Sequence, residues 1–270
     1  MNPDVVAHLR CPVCRETLRV ADARTLRCPR GHSFDLARQG YADLSAGRSP
    51  HTGDTPEMVA ARAAFLGSGH YGFVSAALAD AAAGAGGLVV DVGGGTGQHL
   101  AVVLDRDPDL LGLVVDASKP ALRRAAKAHE RAGAVRADAW DRLPLADHGT
   151  AVLLDVFAPR NGAEFHRVLR ADGRLLVVTP EPDHLAELVA ALGLLAVDPA
   201  KEERLAASLD THFTLVRRQS LRHTMRLDHA EVATVVGMGP SAWHRDAAAI
   251  DLPTPVEVTA AVRLDQYRPR

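Results

Sequence analysis

Leu88-Val89-Val90-Asp91-Val92-Gly93-Gly94-Gly95-Thr96-Gly97 is the stretch whose reading decides the fold of this chain. An apolar run carrying one acid passes into a glycine-rich turn, and a helical pattern over residues 98–104 follows. A strand ending in such a turn lets a ligand approach the backbone at a helix N-terminus, so a nucleotide-like cofactor is expected there. A dinucleotide fingerprint beginning at Gly93 would need glycine or alanine at position 98, where Gln98 stands. The turn therefore points away from a nicotinamide cofactor.

Outward from this stretch, short apolar runs alternate with helical patterns. Strands are expected over residues 88–92, 111–115, 134–137, 151–157 and 174–179, and helices over 98–104, 119–132, 163–169 and 182–192. That alternation is the signature of a parallel sheet covered on both faces, an α/β fold of Rossmann-like type. After Asp198 it stops, and residues 213–227 and 256–267 read as a late antiparallel strand pair around a helix near 229–236. The total is a mostly parallel seven-stranded sheet. Upstream, residues 55–66 and 72–83 carry helical spacing, residues 37–54 read as a Gly-, Ser-, Arg- and Pro-rich linker, and the first 36 residues show no helical period. The expected division is a small module over 1–36, a linker and helix over 37–70, and the main domain over 71–270.

The small module cannot bury much of a core and needs another staple. Cys11-Pro-Val-Cys14 and Cys28-Pro-Arg-Gly-His32 supply one: CxxC, thirteen intervening residues, then CxxxH. Three thiolates and an imidazole from two knuckles suit Zn2+, and because four protein ligands leave no open position the site is structural. With Cys11, Cys14 and Cys28 the only cysteines of the 270 residues, a disulfide framework is not expected.

Bulk composition allows a full α/β core at 47% hydrophobic residues. Neither an apolar run long enough to span a bilayer nor a signal-peptide pattern is present, so a cytoplasmic protein without membrane contact is expected. The net charge of −2 does not by itself suggest a nucleic-acid binder, but its distribution is uneven. Residues 1–50 hold eight Arg against five acids, and Arg10, Arg15, Arg19, Arg24, Arg27, Arg30 and Arg38 surround the metal motif, which leans toward RNA contact.

The acid two residues before GxGxG resembles the first motif of class I S-adenosylmethionine methyltransferases. The resemblance implies cofactor contacts at Asp91, Gly93, Gly95, Thr96, Gly97, Gln98 and His99. It further implies a ribose-holding carboxylate at Asp116, nineteen residues beyond Gly97, and adenine contacts at Asp138 and Ala139. A carboxylate suits ribose because its two oxygens accept both hydroxyl protons. The fourth strand ends Leu153-Leu154-Asp155-Val156-Phe157-Ala158-Pro159-Arg160-Asn161, without the Asn- or Asp-Pro-Pro-aromatic motif of amino-group methylases. Asp155, at that strand end, is the candidate catalytic base, the alternative being a carboxylate that merely caps the turn or orients a backbone amide.

The order CPVC, CPRGHSFDLARQGY, DTPEMVAARAAFLGSGHY, DVGGGTG, DASKPAL, VFAPRN and MRLDHAEVATVVGMGPSAWH resembles the RlmA/TlrB family of 23S rRNA (guanine-N1)-methyltransferases over nearly the whole chain. The GGGTG and APRN variants are closest to its actinomycete branch, associated with tylosin-type macrolide resistance. The resemblance implies S-adenosylmethionine and zinc as cofactors, a 23S rRNA hairpin near the peptide exit tunnel as substrate, a homodimer with an RNA cleft, and cofactor contacts at Tyr71 and His184. Read from the residues alone, Tyr71 is a helix-packing aromatic and His184 a first-turn helix residue. Trp140 or Trp243 could stack on an extruded base, although burial is the more common fate of an indole. Two other readings compete: a small-molecule methyltransferase whose ribbon is a lid, and an RNA-binding module whose methyltransferase fold has lost activity.

Overall fold

The computed structural model describes residues 1–45, 47, 53–195, 207–239, 252–253 and 255–270. Trp243 and the end of the 225–244 motif lie outside the described residues. Helix α1 (Pro3–Val6) opens the chain; it is one turn started by Asn2 and Pro3, a helix too short for the sequence period to register. Strands β1 (Arg19–Asp22), β2 (Thr25–Arg27) and β3 (Ser33–Asp35) then form a three-stranded antiparallel sheet in chain order.

The main sheet contains β4 (Ala42–Asp43), β5 (Gly87–Val92), β6 (Leu110–Asp116), β7 (Ala132–Arg136), β8 (Thr150–Val156), β9 (Leu169–Pro180), β10 (Phe213–Leu227) and β11 (Val256–Pro269). Its order is β10-β11-β9-β8-β5-β6-β7-β4, parallel from β9 to β4 and antiparallel where β11 joins β9 and β10. The seven expected strands are all present. An eighth, β4, arises inside the stretch read as a linker, because Leu44 N donates to Arg136 O and the Arg136 guanidinium reaches Asp43 at 3.1 Å. A two-residue pairing of this kind has no period for a sequence to display.

The further helices are α2 (Pro56–Gly67), α3 (Gly72–Ala82), α4 (Gln98–Arg106), α5 (Lys119–Ala125), α6 (Gly162–Val168), α7 (Ala186–Leu192) and α8 (His229–Gly237), and four of them start where a side chain satisfies a free backbone N–H group. Thr55, Ser118 and Asn161 cap α2, α5 and α6, and Asp228 with Glu231 forms a reciprocal box at α8. Two helices are shorter than expected. Helix α5 stops at Ala125, and the Arg131 guanidinium gathers the carbonyls of Leu104, Asp107, Pro108 and Leu110 to fix the following turn. Helix α7 begins four residues late because Leu185 adopts a left-handed conformation and its N–H is bound to Thr259 O.

The two sheet faces are covered differently. On one, Val89, Val114 and Leu154 pack against Val74 and Leu78 of α3, Leu100 and Leu104 of α4, and Val232 and Val236 of α8. On the other, Val90, Leu113, Val135 and Leu153 share one cluster with Val5, Leu9, Cys11, Leu18 and Leu26. The cysteine-bearing module thus takes part of its core from the sheet, each buried Leu contributing roughly 2 kcal/mol. Arg15 fixes the joint by donating to Leu143 O and Leu145 O, both at 3.1 Å. No helix among the described residues is long and apolar enough to cross a membrane. Strand order reverses at β5, placing a crevice at the carboxyl ends of β5, β6 and β8, where α/β sheets hold ligands.

Candidate metal centre and cofactor site

The four ligands read from the sequence converge, their donor atoms all lying within 4.8 Å of one another. Cys11 Sγ is 3.6 Å and Cys28 Sγ 3.3 Å from His32 Nδ1, and Cys14 Sγ is 3.6 Å from Cys28 Sγ. A zinc tetrahedron with bonds of about 2.3 Å to sulfur and 2.0–2.1 Å to nitrogen has edges of about 3.5–3.8 Å. The donor set therefore fits Zn2+ in number, chemistry and spacing. Gly31, at φ +86°, makes the second knuckle turn back on itself.

The surrounding arginines divide into two groups. Arg10 donates to Ala7 O and Leu9 O, Arg24 to Leu36 O, and Arg15 to the main domain, so these three serve the fold. Arg19, Arg27, Arg30 and Arg38 are exposed; Arg30 meets Glu16 at 3.9 Å, and Arg19 and Arg27 stand directly opposite each other on β1 and β2. Paired like charges weaken a sheet unless an anion bridges them.

At the carboxyl end of β5, Asp91 is buried and neither carboxylate oxygen has a hydrogen-bond partner. Burial, followed by the nearby Asp116 and Asp155, pushes its carboxyl up to about 8. Gly94 lies directly above, and a Cβ there would sit 2.5 Å from Asp91 Cγ. Gly97 takes φ +78° at the start of α4, a conformation an L side chain rarely accepts. At the end of β6, Asp116 Oδ2 accepts from Gly95 N at 2.9 Å and Oδ1 from Ser118 N at 2.7 Å, while burial raises its carboxyl. Asp138, after β7, is buried and accepts from Trp140 N at 3.0 Å, beside Ala139. An orphaned buried carboxylate beside a glycine loop, with a second carboxylate one strand away, fits S-adenosylmethionine: the first can take its ammonium and the second its ribose.

Tyr71, Ser75, Thr96, Gln98, His99 and Arg124 line a half-open cleft of about 520 Å³ next to this loop. His99 points inward, its Nδ1 2.8 Å from Ser75 Oγ, and burial drives its imidazole down to about 4, so it is neutral. Asp91, Asp116 and Asp138 are not among the residues lining this cleft. Tyr71 Oη meets His184 Nε2 at 3.1 Å, and burial holds the Tyr71 hydroxyl far above and the His184 imidazole below their ordinary values.

The end of β8 is where sequence reasoning saw least. Asp155 is fully buried, its Oδ1 accepts from Arg160 Nε at 3.0 Å, and its Oδ2 has no partner. Burial lifts the carboxyl to about 7 against the opposing pull of Arg160. A five-residue separation across a Pro-containing turn gives no sequence signal that Arg160 folds back. The burial expected of the Trp140 indole is not found, since Trp140 is 49% exposed, and Phe157, whose place at the end of an apolar run carries no signal of its own, is 43% exposed.

The N-terminal domain of RlmA, a zinc ribbon, is the family model that matches residues 9–45. The 23S rRNA (guanine(748)-N(1))-methyltransferase of Streptomyces fradiae is 53% identical over 100% of this chain and 99% of its own length. A Micromonospora griseorubida protein named for the same guanine-N1 class is 58% identical over the full length of both chains, and YxjB of Bacillus subtilis is 32% identical over 87% of this chain and 86% of its own. Among solved structures, a chain of the complex between the Haloferax volcanii Trm112 methyltransferase activator and a methyltransferase superposes with TM-score 0.54 at 16% identity, covering 81% of this chain and 98% of that one. YcgJ of Bacillus subtilis does so with TM-score 0.51 at 18% identity over 73% and 97%. These two show the fold alone. Zinc ribbon, class I methyltransferase sheet and full-length identity agree, and the chain belongs to the S-adenosylmethionine-dependent 23S rRNA (guanine-N1)-methyltransferase family.

Proposed function

We propose that this chain methylates N1 of a guanine in a 23S rRNA hairpin near the peptide exit tunnel and thereby confers resistance to tylosin-type macrolides. The observation that carries the reading is the end-to-end 53% identity to the Streptomyces fradiae enzyme. Bound S-adenosylmethionine supplies the electrophilic methyl group. In this reading Asp91 and the Gly93–Gly97 turn with Thr96, Gln98 and His99 hold its amino-acid part, Asp116 its ribose, and Asp138 and Ala139 its adenine, with Tyr71 and His184 alongside. The ribbon over residues 1–36 contacts RNA through Arg19, Arg27 and Arg38, the chain acts as a homodimer, and it works in the cytoplasm, where its substrate is. In a tylosin-sensitive host lacking this modification, expression is expected to methylate 23S rRNA and raise the inhibitory concentration. Label from S-adenosylmethionine appearing in a metabolite instead would favour a small-molecule methyltransferase and overturn the reading.

The chain's own chemical task is to align the guanine with the methyl donor and to accept the proton that leaves N1. Asp155 Oδ2 is assigned that proton, which requires the site to open at this buried oxygen when RNA enters. With its carboxyl near 7, Asp155 is competent only when ionised, so kcat/KM should fall about tenfold per pH unit below about 7 and level off above. Asp155→Asn should lose about 10²- to 10⁴-fold in rate and bind S-adenosylmethionine unchanged. Full activity in that variant would remove Asp155 from the role and leave it as the structural partner of Arg160.

A further inference from the structure

The main chain at Phe157 has φ +54°, in the left-handed region. Glycine or asparagine carries that conformation readily, and a bulky aromatic is a genuine outlier there. Hydrophobic burial does not account for the choice either, since Phe157 is 43% exposed just beyond β8. A strained backbone holding an exposed apolar ring is tolerated where surrounding contacts over-determine it, and such positions cluster at ligand clamps.

The contacts are specific. Phe157 N donates to Val178 O at 3.1 Å, which sets the turn. The ring lies 6.0 Å from His184 at 36° and 6.2 Å from Tyr71 at 44°, two neutral partners that back it. The following residue, Ala158, packs over the cofactor turn so closely that a Cβ on Gly93 would stand 2.6 Å from Ala158 Cβ. The exposed ring is therefore next to the glycine turn, just beyond the carboxyl end of β8.

We infer that Phe157 is the platform on which the acceptor guanine stacks, so that the purine is held with its N1 edge toward the methyl donor. The inference rests on the guanine-N1 reading above and adds the residue that holds the base. A purine face on an aromatic ring is a sequence-tolerant contact of moderate strength, and the 2-amino and 6-oxo groups stay free for other recognition. The left-handed turn presents the ring to the incoming base instead of folding it into the core.

The test compares Phe157→Ala, Phe157→Leu and Phe157→Tyr on a 23S rRNA fragment, reading kcat/KM for RNA, Kd for S-adenosylmethionine and Tm. Phe157→Ala is expected to lose about 5- to 150-fold in kcat/KM for RNA with cofactor Kd and Tm unchanged. Phe157→Tyr should stay within about threefold of the unaltered chain while Phe157→Leu, apolar but unable to stack, stays as low as Ala. Should the Ala variant not fold, the Tyr and Leu variants decide alone. Normal activity in Ala, or rescue by Leu equal to that by Tyr, overturns the platform and leaves the guanine-N1 reading standing. No methylation of RNA by the unaltered chain overturns both.

Discussion

Replacing Cys11 by serine is expected to abolish stoichiometric zinc binding and to lower the Tm of the whole chain, with loss of methyl transfer to RNA. The reason lies in how the metal site is embedded. Cys11 is buried, its sulfur is 3.6 Å from His32 Nδ1, and it sits in the same cluster as Leu9, Leu18, Val90 and Leu113. Structural zinc contributes about 10–16 kcal/mol to small zinc-binding peptides, far more than a three-stranded sheet of four-, three- and three-residue strands can hold by packing. Losing one of four ligands should forfeit several of those kcal/mol. Because the ribbon covers one face of the main sheet, the loss should register as a shift in the main thermal transition. Metal content by emission spectrometry and a calorimetric scan read both effects. A variant that keeps one zinc per chain and its Tm would contradict the ligand assignment. Zinc loss without any change in the main transition would contradict the shared core.

Asp91→Asn is expected to weaken S-adenosylmethionine binding by about 10- to 150-fold while leaving the fold intact. A hydrogen bond to a charged group contributes about 1.5–3 kcal/mol, and Asp91 has both oxygens unpartnered to receive one. The pH dependence gives a second readout. Its carboxyl is raised to about 8 in the folded protein, so the ligand-free fold binds a proton that the unfolded chain releases near its ordinary value. That stabilising contribution is complete below about pH 4 and disappears as pH rises through about 8. Asparagine imitates the protonated form, so its Tm should match the unaltered chain below about pH 4 and exceed it by a margin that grows between about pH 4 and 8 and then levels off. Cofactor affinity runs in the opposite direction. The ammonium needs the ionised carboxylate, so affinity of the unaltered chain should climb with pH up to about 8, and in Asp91→Asn this climb should be absent. Titration calorimetry at several pH values checks it; equal affinity in the two proteins would detach Asp91 from the cofactor.

Much of this arrangement was readable because it rests on local periodicity and spacing. The zinc ligands lie in two short knuckles, and the β5 strand, its glycine turn and the acid ending β6 follow one another along the chain. What stayed hidden depends on long-range contacts. Strand β4 exists because Asp43 meets Arg136, ninety-three residues away, and the ribbon is seated because Arg15 reaches carbonyls near residue 145. Neither pairing leaves a pattern in its own neighbourhood. Arg15 shows the cost of reading charge without structure: as one of seven arginines near the metal it looked like an RNA contact, yet its guanidinium is committed to the fold. Phe157 was invisible for a different reason, since its significance lies in a backbone angle, and an aromatic after an apolar strand reads as one more core residue.

The most direct test is to incubate the purified chain with methyl-labelled S-adenosylmethionine and 23S rRNA from a strain lacking the modification, then digest the RNA to nucleosides. The account predicts label in 1-methylguanosine and, because an N1 methyl blocks Watson–Crick pairing, a reverse-transcription stop beside a single guanine. Label in any other nucleoside, or none in RNA under conditions where the cofactor binds, would contradict it.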